Sequence, residues 1–197
     1  MNFNFFKDNK LSSFAAFIFA PVLLFAHPDF GSSTGFMHGF AHPLSGLDHM
    51  IAMVAIGIWA VQVGGKATWL IPLSFVSMMI LGGVLGASGV AIPFVEKGII
   101  MSVLILGVLI IASVRMPVVL GMIVAGLFAL CHGHVHGTEI SATATGLAFI
   151  AGFTISTIML HASGIGLSYT LIHVSKAKLV RFAGIPIFIA GLAMLFI

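Results

Sequence analysis

The chain has 197 residues, of which 60% are hydrophobic and 7% charged, with a mean hydropathy of +1.22. A soluble domain cannot cover its surface from so few polar side chains, so this composition excludes one and places the chain in a lipid bilayer. The formal charge of +3 comes from eight Lys and Arg scattered through short connections. That pattern argues against a nucleic-acid partner and turns the basic residues into signals of membrane orientation. Cys131 is the single cysteine, which rules out an intramolecular disulfide and a cysteine-built zinc site.

Residues 1–26 read as a secretory signal: two lysines, an apolar stretch of about fifteen residues from Leu11, then Ala26 before a polar turn. Cleavage after Ala26 leaves His27 as the mature N-terminus. Leu24 is bulkier than the small residue usual at that place, so an uncleaved first helix is the alternative. Residues 27–197 then form one transmembrane domain. Beyond a Gly/Ser/Phe segment at 31–46, apolar runs occupy 47–63, 68–90, 98–114, 117–132, 141–174 and 180–197. Runs of this length are helical spans, not the alternating strands of a membrane barrel, so the fold class is an all-α compact bundle of six transmembrane helices. The fifth run would extend about 50 Å at 1.5 Å per residue, beyond a bilayer core of roughly 30 Å. It must tilt, bend near Gly164 and Gly166, or project.

Lys66, Arg115, Lys176, Lys178 and Arg181 fall in alternate connections, and the opposite set holds only Lys97, beside Glu96. The first set is expected in the cytoplasm and the mature N-terminus outside, which agrees with signal cleavage. Gly82/Gly86 and Gly133/Gly137 recur at spacing four, as helices that pack tightly require. The methionines show no clustered spacing and read as core filler.

Chemistry concentrates in the histidines. Seven of the nine lie in or before the outer ends of the first and fourth spans. One cluster holds His27, His38, His42, Asp48 and His49; the other, "CHGHVHGTE", holds His132, His134, His136 and Glu139. On a helix His132, His136 and Glu139 share one face, with His134 about 200° away. Pro43 and Gly46 break the first cluster, so a helix starting near Leu44 with His42 just before it is expected. Imidazoles with a few carboxylates suit Ni²⁺, Co²⁺, Zn²⁺ or Cu²⁺, and the ligand types alone do not separate these ions. His27, with its α-amine and imidazole, is a further chelator if the signal is removed. His161 lies deep in the fifth span and needs a partner, as a lining of a translocation path or as a hydrogen-bonded packing residue. His173 reads as interfacial.

"HPLSGLDHM" and "LCHGHVHGTE" together resemble the HupE/UreJ family of nickel/cobalt permeases associated with hydrogenase and urease maturation. The family's first motif falls on His42, Asp48 and His49, and its second on His132, Gly133, His136, Gly137 and Glu139. Cys131 departs from it, standing where the family usually has phenylalanine. The resemblance implies secondary uptake of Ni²⁺ or Co²⁺ across a bacterial cytoplasmic membrane, with no prosthetic group and the ion as cargo. Two other readings fit the residues: an intramembrane zinc metalloenzyme, though no H-E-x-x-H helix is present, and a metal sensor or chaperone without transport.

Overall fold

The computed structural model describes residues 35–139, 144–173 and 177–196. The expected signal segment and His27 lie outside these residues. Lipid offers no hydrogen bonds to exposed backbone, so a chain this apolar satisfies its amides within helices. The described elements are α1 (Phe36–Ser45), α2 (Leu47–Val63), α3 (Ala67–Ala87), α4 (Val95–Ala112), α5 (Val118–Glu139), α6 (Ala144–His173), α7 (Ala177–Phe182) and α8 (Gly184–Met194). Helix α2 stops where Gly64 takes φ 87°, with its N–H donating to the Ala60 carbonyl, a conformation that glycine adopts without strain.

Four helices, α3 to α6, are each long and apolar enough to cross a bilayer, and the bent pair α1–α2 makes a fifth if taken as one span. The run at 180–197 divides at Ala183, leaving the 11-residue α8. At 1.5 Å per residue α8 is only about half the thickness of a bilayer core. The long fifth run is one 30-residue helix, α6, unbroken through Gly164 and Gly166. Helix α5 continues past 132 to Glu139, so the second histidine cluster is helical.

The expectation for Pro43 is corrected. It lies inside α1, so His42 belongs to a helix and not to a segment before one. The break falls at Gly46, where φ −89° and ψ 114° make the backbone extended and α1 meets α2 at a bend of 82°. Pro43 still allows helix on its C-terminal side, because the amide it lacks is a loss only toward the preceding turn.

Glycines set how the helices pair. A Cβ at Gly82 or Gly86 would overlap the carbonyl oxygens of Leu130 and His134, and one at Gly133 or Gly137 those of Met79 and Gly83. Helices α3 and α5 therefore run parallel with backbone against backbone. Gly57 and Gly164 do the same for α2 and α6, meeting the His161 and Val54 carbonyls, and Gly39 and Gly152 pair α1 with α6. Gly164 is thus a contact point and not a bend. The interior between these pairs holds Met53, Ile56, Trp59, Ile71, Phe75, Leu106 and Ile110, all without exposure. Trp69, Leu73, Ile123, Leu127 and Leu147 face outward, as lipid-facing side chains do.

Replacing Gly82 by leucine is expected to force α3 from α5 at a cost of roughly 1–3 kcal/mol or more. The readout is a lowered thermal midpoint in detergent; an unchanged midpoint contradicts the backbone contact.

Candidate metal centre

The bend at Gly46 places the last turn of α1 over the first turn of α2, so His42 faces Asp48 and His49. A Cβ at Gly46 would stand 2.9 Å from Asp48 Oδ1 and 3.3 Å from His49 Nδ1. A side chain at Gly46 would therefore crowd the Asp48 carboxylate and the His49 ring, while its extended backbone is open to any residue. Helix α5 brings His132 and His136, one turn apart on one face, against the same point. The His136 ring centre is 4.4 Å from that of His42 and 4.5 Å from that of His49, and His49 and His132 are 4.8 Å apart. Four imidazoles from three helices thus form one group. Phe153 of α6 closes its side, 5.0 Å from His136 and 5.9 Å from His42.

Hydrogen bonds fix what each ring offers. Asp48 Oδ1 accepts from His49 Nδ1 at 2.9 Å, which leaves a lone pair on His49 Nε2. A carboxylate behind an imidazole is the arrangement that orients and strengthens metal-binding histidines. His136 Nε2 lies 2.6 Å from His49 Nε2, so His136 donates and His49 accepts. Ser102 donates its hydroxyl proton to the Ile99 carbonyl at 2.6 Å. Its oxygen therefore accepts from His132 Nε2 at 3.0 Å, and the lone pair of His132 is on Nδ1, buried and without a partner.

A cavity of about 410 Å³ opens onto this group and is lined by His42, Asp48, His49, His136 and Glu96. Glu96 and Ser102 were not candidates from sequence. Glu96 looked like the partner of Lys97, but the Lys97 ammonium lies over the Phe94 ring, 5.3 Å from its centre, and leaves the carboxylate to the cavity. Topology was the available signal, since it puts Glu96 at the same end of the bundle as both histidine clusters. Ser102 carries no signal of its own in the sequence.

The remaining candidates separate from the group. His38 is exposed, with its ring 6.2 Å from His42, at the rim. Glu139 ends α5, and its side chain lies outside those described. His134 is on the other face, where Nε2 donates to the Val90 carbonyl at 2.6 Å and ties down the α3–α4 connection. Cys131 lies against Gly98, where a Cβ would meet its sulfur. His161 is buried further in, its Nδ1 donating to the Met53 carbonyl at 2.8 Å, and His173 is exposed at the far end of α6. Among the described residues no three His, Cys, Asp or Glu side chains stand ready to hold one ion together.

Residues 15–194 match the family described as HupE / UreJ protein. The chain belongs to this family. Within the HupE/UreJ proteins it is 41% identical to Protein HupE of Rhizobium leguminosarum bv. viciae over 189 residues, covering 96% of this chain and 98% of that one. No solved structure matches it. In this HupE/UreJ chain the two motifs, some ninety residues apart by count along the sequence, meet through the His136–His49 contact of separation 87.

The tautomers are open to measurement. In ¹⁵N-histidine spectra of the metal-free protein, His49 should carry its proton on Nδ1 and His132 on Nε2. Ser102→Ala should remove the His132 preference and leave His49 unchanged; a His132 proton on Nδ1 in the unsubstituted chain contradicts the assignment.

Proposed function

We propose that the protein takes up a divalent transition-metal ion, Ni²⁺ or Co²⁺, across the bacterial cytoplasmic membrane. The observation that carries this reading is the convergence of His42, His49, His132 and His136 at one end of a membrane bundle, beneath a cavity lined by two carboxylates. The motif resemblance supports it, because it ties the family to nickel and cobalt uptake for hydrogenase and urease. Imidazole nitrogen with carboxylate oxygen is the donor set that such ions accept. The ion is cargo and not a resident cofactor.

The proposed sequence begins at the cavity, on the side to which the sparse basic residues assign the outside. Asp48 and Glu96 attract the hydrated cation electrostatically. His49 Nε2 then replaces a bound water, and the ion displaces the His136 proton from the contact between the two rings. Coordination through both Nε2 atoms requires His136 to carry its proton on Nδ1. His42, from α1, and Glu139, one turn beyond His136, complete the shell, with Asp48 holding the His49 ring in place through Nδ1. His38 stands at the rim, and His27 would add an amine and an imidazole before it. The described helices contain no nucleotide-binding glycine loop, and the driving force is proposed to be an ion or potential gradient.

Purified protein in liposomes should accumulate Ni²⁺ or Co²⁺, and His136→Ala should abolish uptake. Asp48→Asn should weaken binding by roughly 10–100-fold, the usual effect of removing the group behind a metal-binding histidine. Binding should also weaken on acidification, because protons compete for the lone pairs that the metal needs. Uptake unaltered in both variants would falsify the site, and tight binding without flux would replace transport with sensing.

A further inference from the structure

His161 is 2% exposed, and its two nitrogens are in different states. Nδ1 donates to the Met53 carbonyl at 2.8 Å, which fixes the ring through α2. Nε2 is buried and has no partner. A lone imidazole in apolar surroundings stays neutral, since an unpaired charge there is far more costly. The unpartnered Nε2 therefore bears a lone pair. A histidine held by a backbone carbonyl on one nitrogen and open on the other is in the state that metal-binding histidines adopt.

Its position continues inward from the outer imidazoles. The Phe75 ring touches both levels, 5.8 Å from His132 and 5.1 Å from His161 by ring centres. His132 Nδ1 on one side of it is likewise buried and unpartnered. Between the levels Thr157 of α6 donates to the Met79 sulfur at 3.6 Å. Beyond His161, Ser168 lies seven residues further along α6 and so on the same face. Its hydroxyl too is buried without a partner, as is the Gln62 side-chain oxygen near the end of α2. Polar groups left open in a membrane interior are costly, yet these recur along the α2–α6 contact from the histidine group toward the opposite end.

We propose that His161 Nε2 is a second, inner ligand for the divalent cation, which reaches it from His132 past the Phe75 ring. The inference rests on the transport reading and adds a step to it. The ion leaves the outer imidazoles one at a time, with His132 Nδ1 as the last outer donor. His161 receives it together with water or backbone carbonyls, and Ser168 lies on the exit side. No bond other than coordination changes, and no proton is transferred at His161, because Nδ1 keeps its proton in the hydrogen bond to the Met53 carbonyl.

His161→Asn tests this, since its amide can still donate to the Met53 carbonyl but offers nothing in place of Nε2. The probe is Co²⁺ alone, with the full chain in lipid nanodiscs for binding and in liposomes for flux. The expected result is outer-site affinity within about twofold of the unsubstituted protein, with a maximal uptake rate lower by roughly tenfold and KM little changed. A merely structural histidine would instead lower binding and flux together, or neither. Uptake at the full rate in His161→Asn overturns the proposal. A second measurement needs no variant: in the Co²⁺-loaded unsubstituted chain, the His161 Nδ1 proton, identified by its coupling to ¹³C-labelled Met53 carbonyl, should show a hyperfine shift. Its absence at saturating Co²⁺ also overturns the proposal. If the unsubstituted protein binds Co²⁺ without moving it, the transport reading fails, and the hyperfine shift alone decides whether His161 is a ligand.

Discussion

Backbone contact between parallel helices is the constraint on which the site depends. Lipid tails are as apolar as leucine, so helices in a bilayer are held together by close packing and interhelical hydrogen bonds, not by exclusion of water. In α3 and α5 the glycines at 82, 86, 133 and 137 let each backbone lie on the carbonyls of the other. That contact sets the height of His132 and His136 relative to Phe75 and Met79. The equivalent contact at Gly57 and Gly164 sets α2 against α6, and with it the reach of the Met53 carbonyl to His161. Larger residues at these positions would move imidazoles by more than a coordination bond tolerates.

Given that frame, each buried imidazole has an orienting partner of a different kind. His49 has the Asp48 carboxylate, His132 the Ser102 hydroxyl, and His161 a main-chain carbonyl. In all three the protonated ring nitrogen donates to the orienting partner, and the lone pair of the other nitrogen is directed elsewhere. These partners differ in charge from an anion at the mouth to a neutral dipole in the interior. A carboxylate strengthens its histidine as a ligand more than a carbonyl does, so the graded series would favour capture at the mouth and looser holding further in.

Much of this was legible in the sequence because its signals are local. Five of the six apolar runs became the long helices α2 to α6, and the spacing of His132 and His136 gave their common face, with His134 turned away. The paired glycines announced close packing, although not which helices they would join. The last run divides at Ala183 between α7 and α8, a break that hydropathy alone does not register. Helix α1 was missed because Pro43 and the glycines around it oppose a helix by propensity, while its contact with α6 through Gly39 and Gly152 is a tertiary matter that overrides propensity. Glu96 and Ser102 join the site only through the folding of α4 beside α2 and α5, and no spacing within the chain encodes that.

The His136–His49 hydrogen bond bears on how such a group would release what it captures. A closed triad or tetrad of ligands holds an ion tightly, which suits a structural or catalytic metal but not one in passage. Here two of the best-placed nitrogens are satisfied by each other at 2.6 Å, and among the described residues no third side chain of the group is placed to share one ion with them. In the proposed cycle an arriving ion must break that hydrogen bond and gather His42 toward it. When the ion departs, the bond re-forms, which offsets part of the free energy lost with coordination. His49 and His136 are thus satisfied by each other, while His132 Nδ1 keeps an open lone pair. In the proposed cycle a small difference between the two states would let the same imidazoles take an ion from water and give it up again.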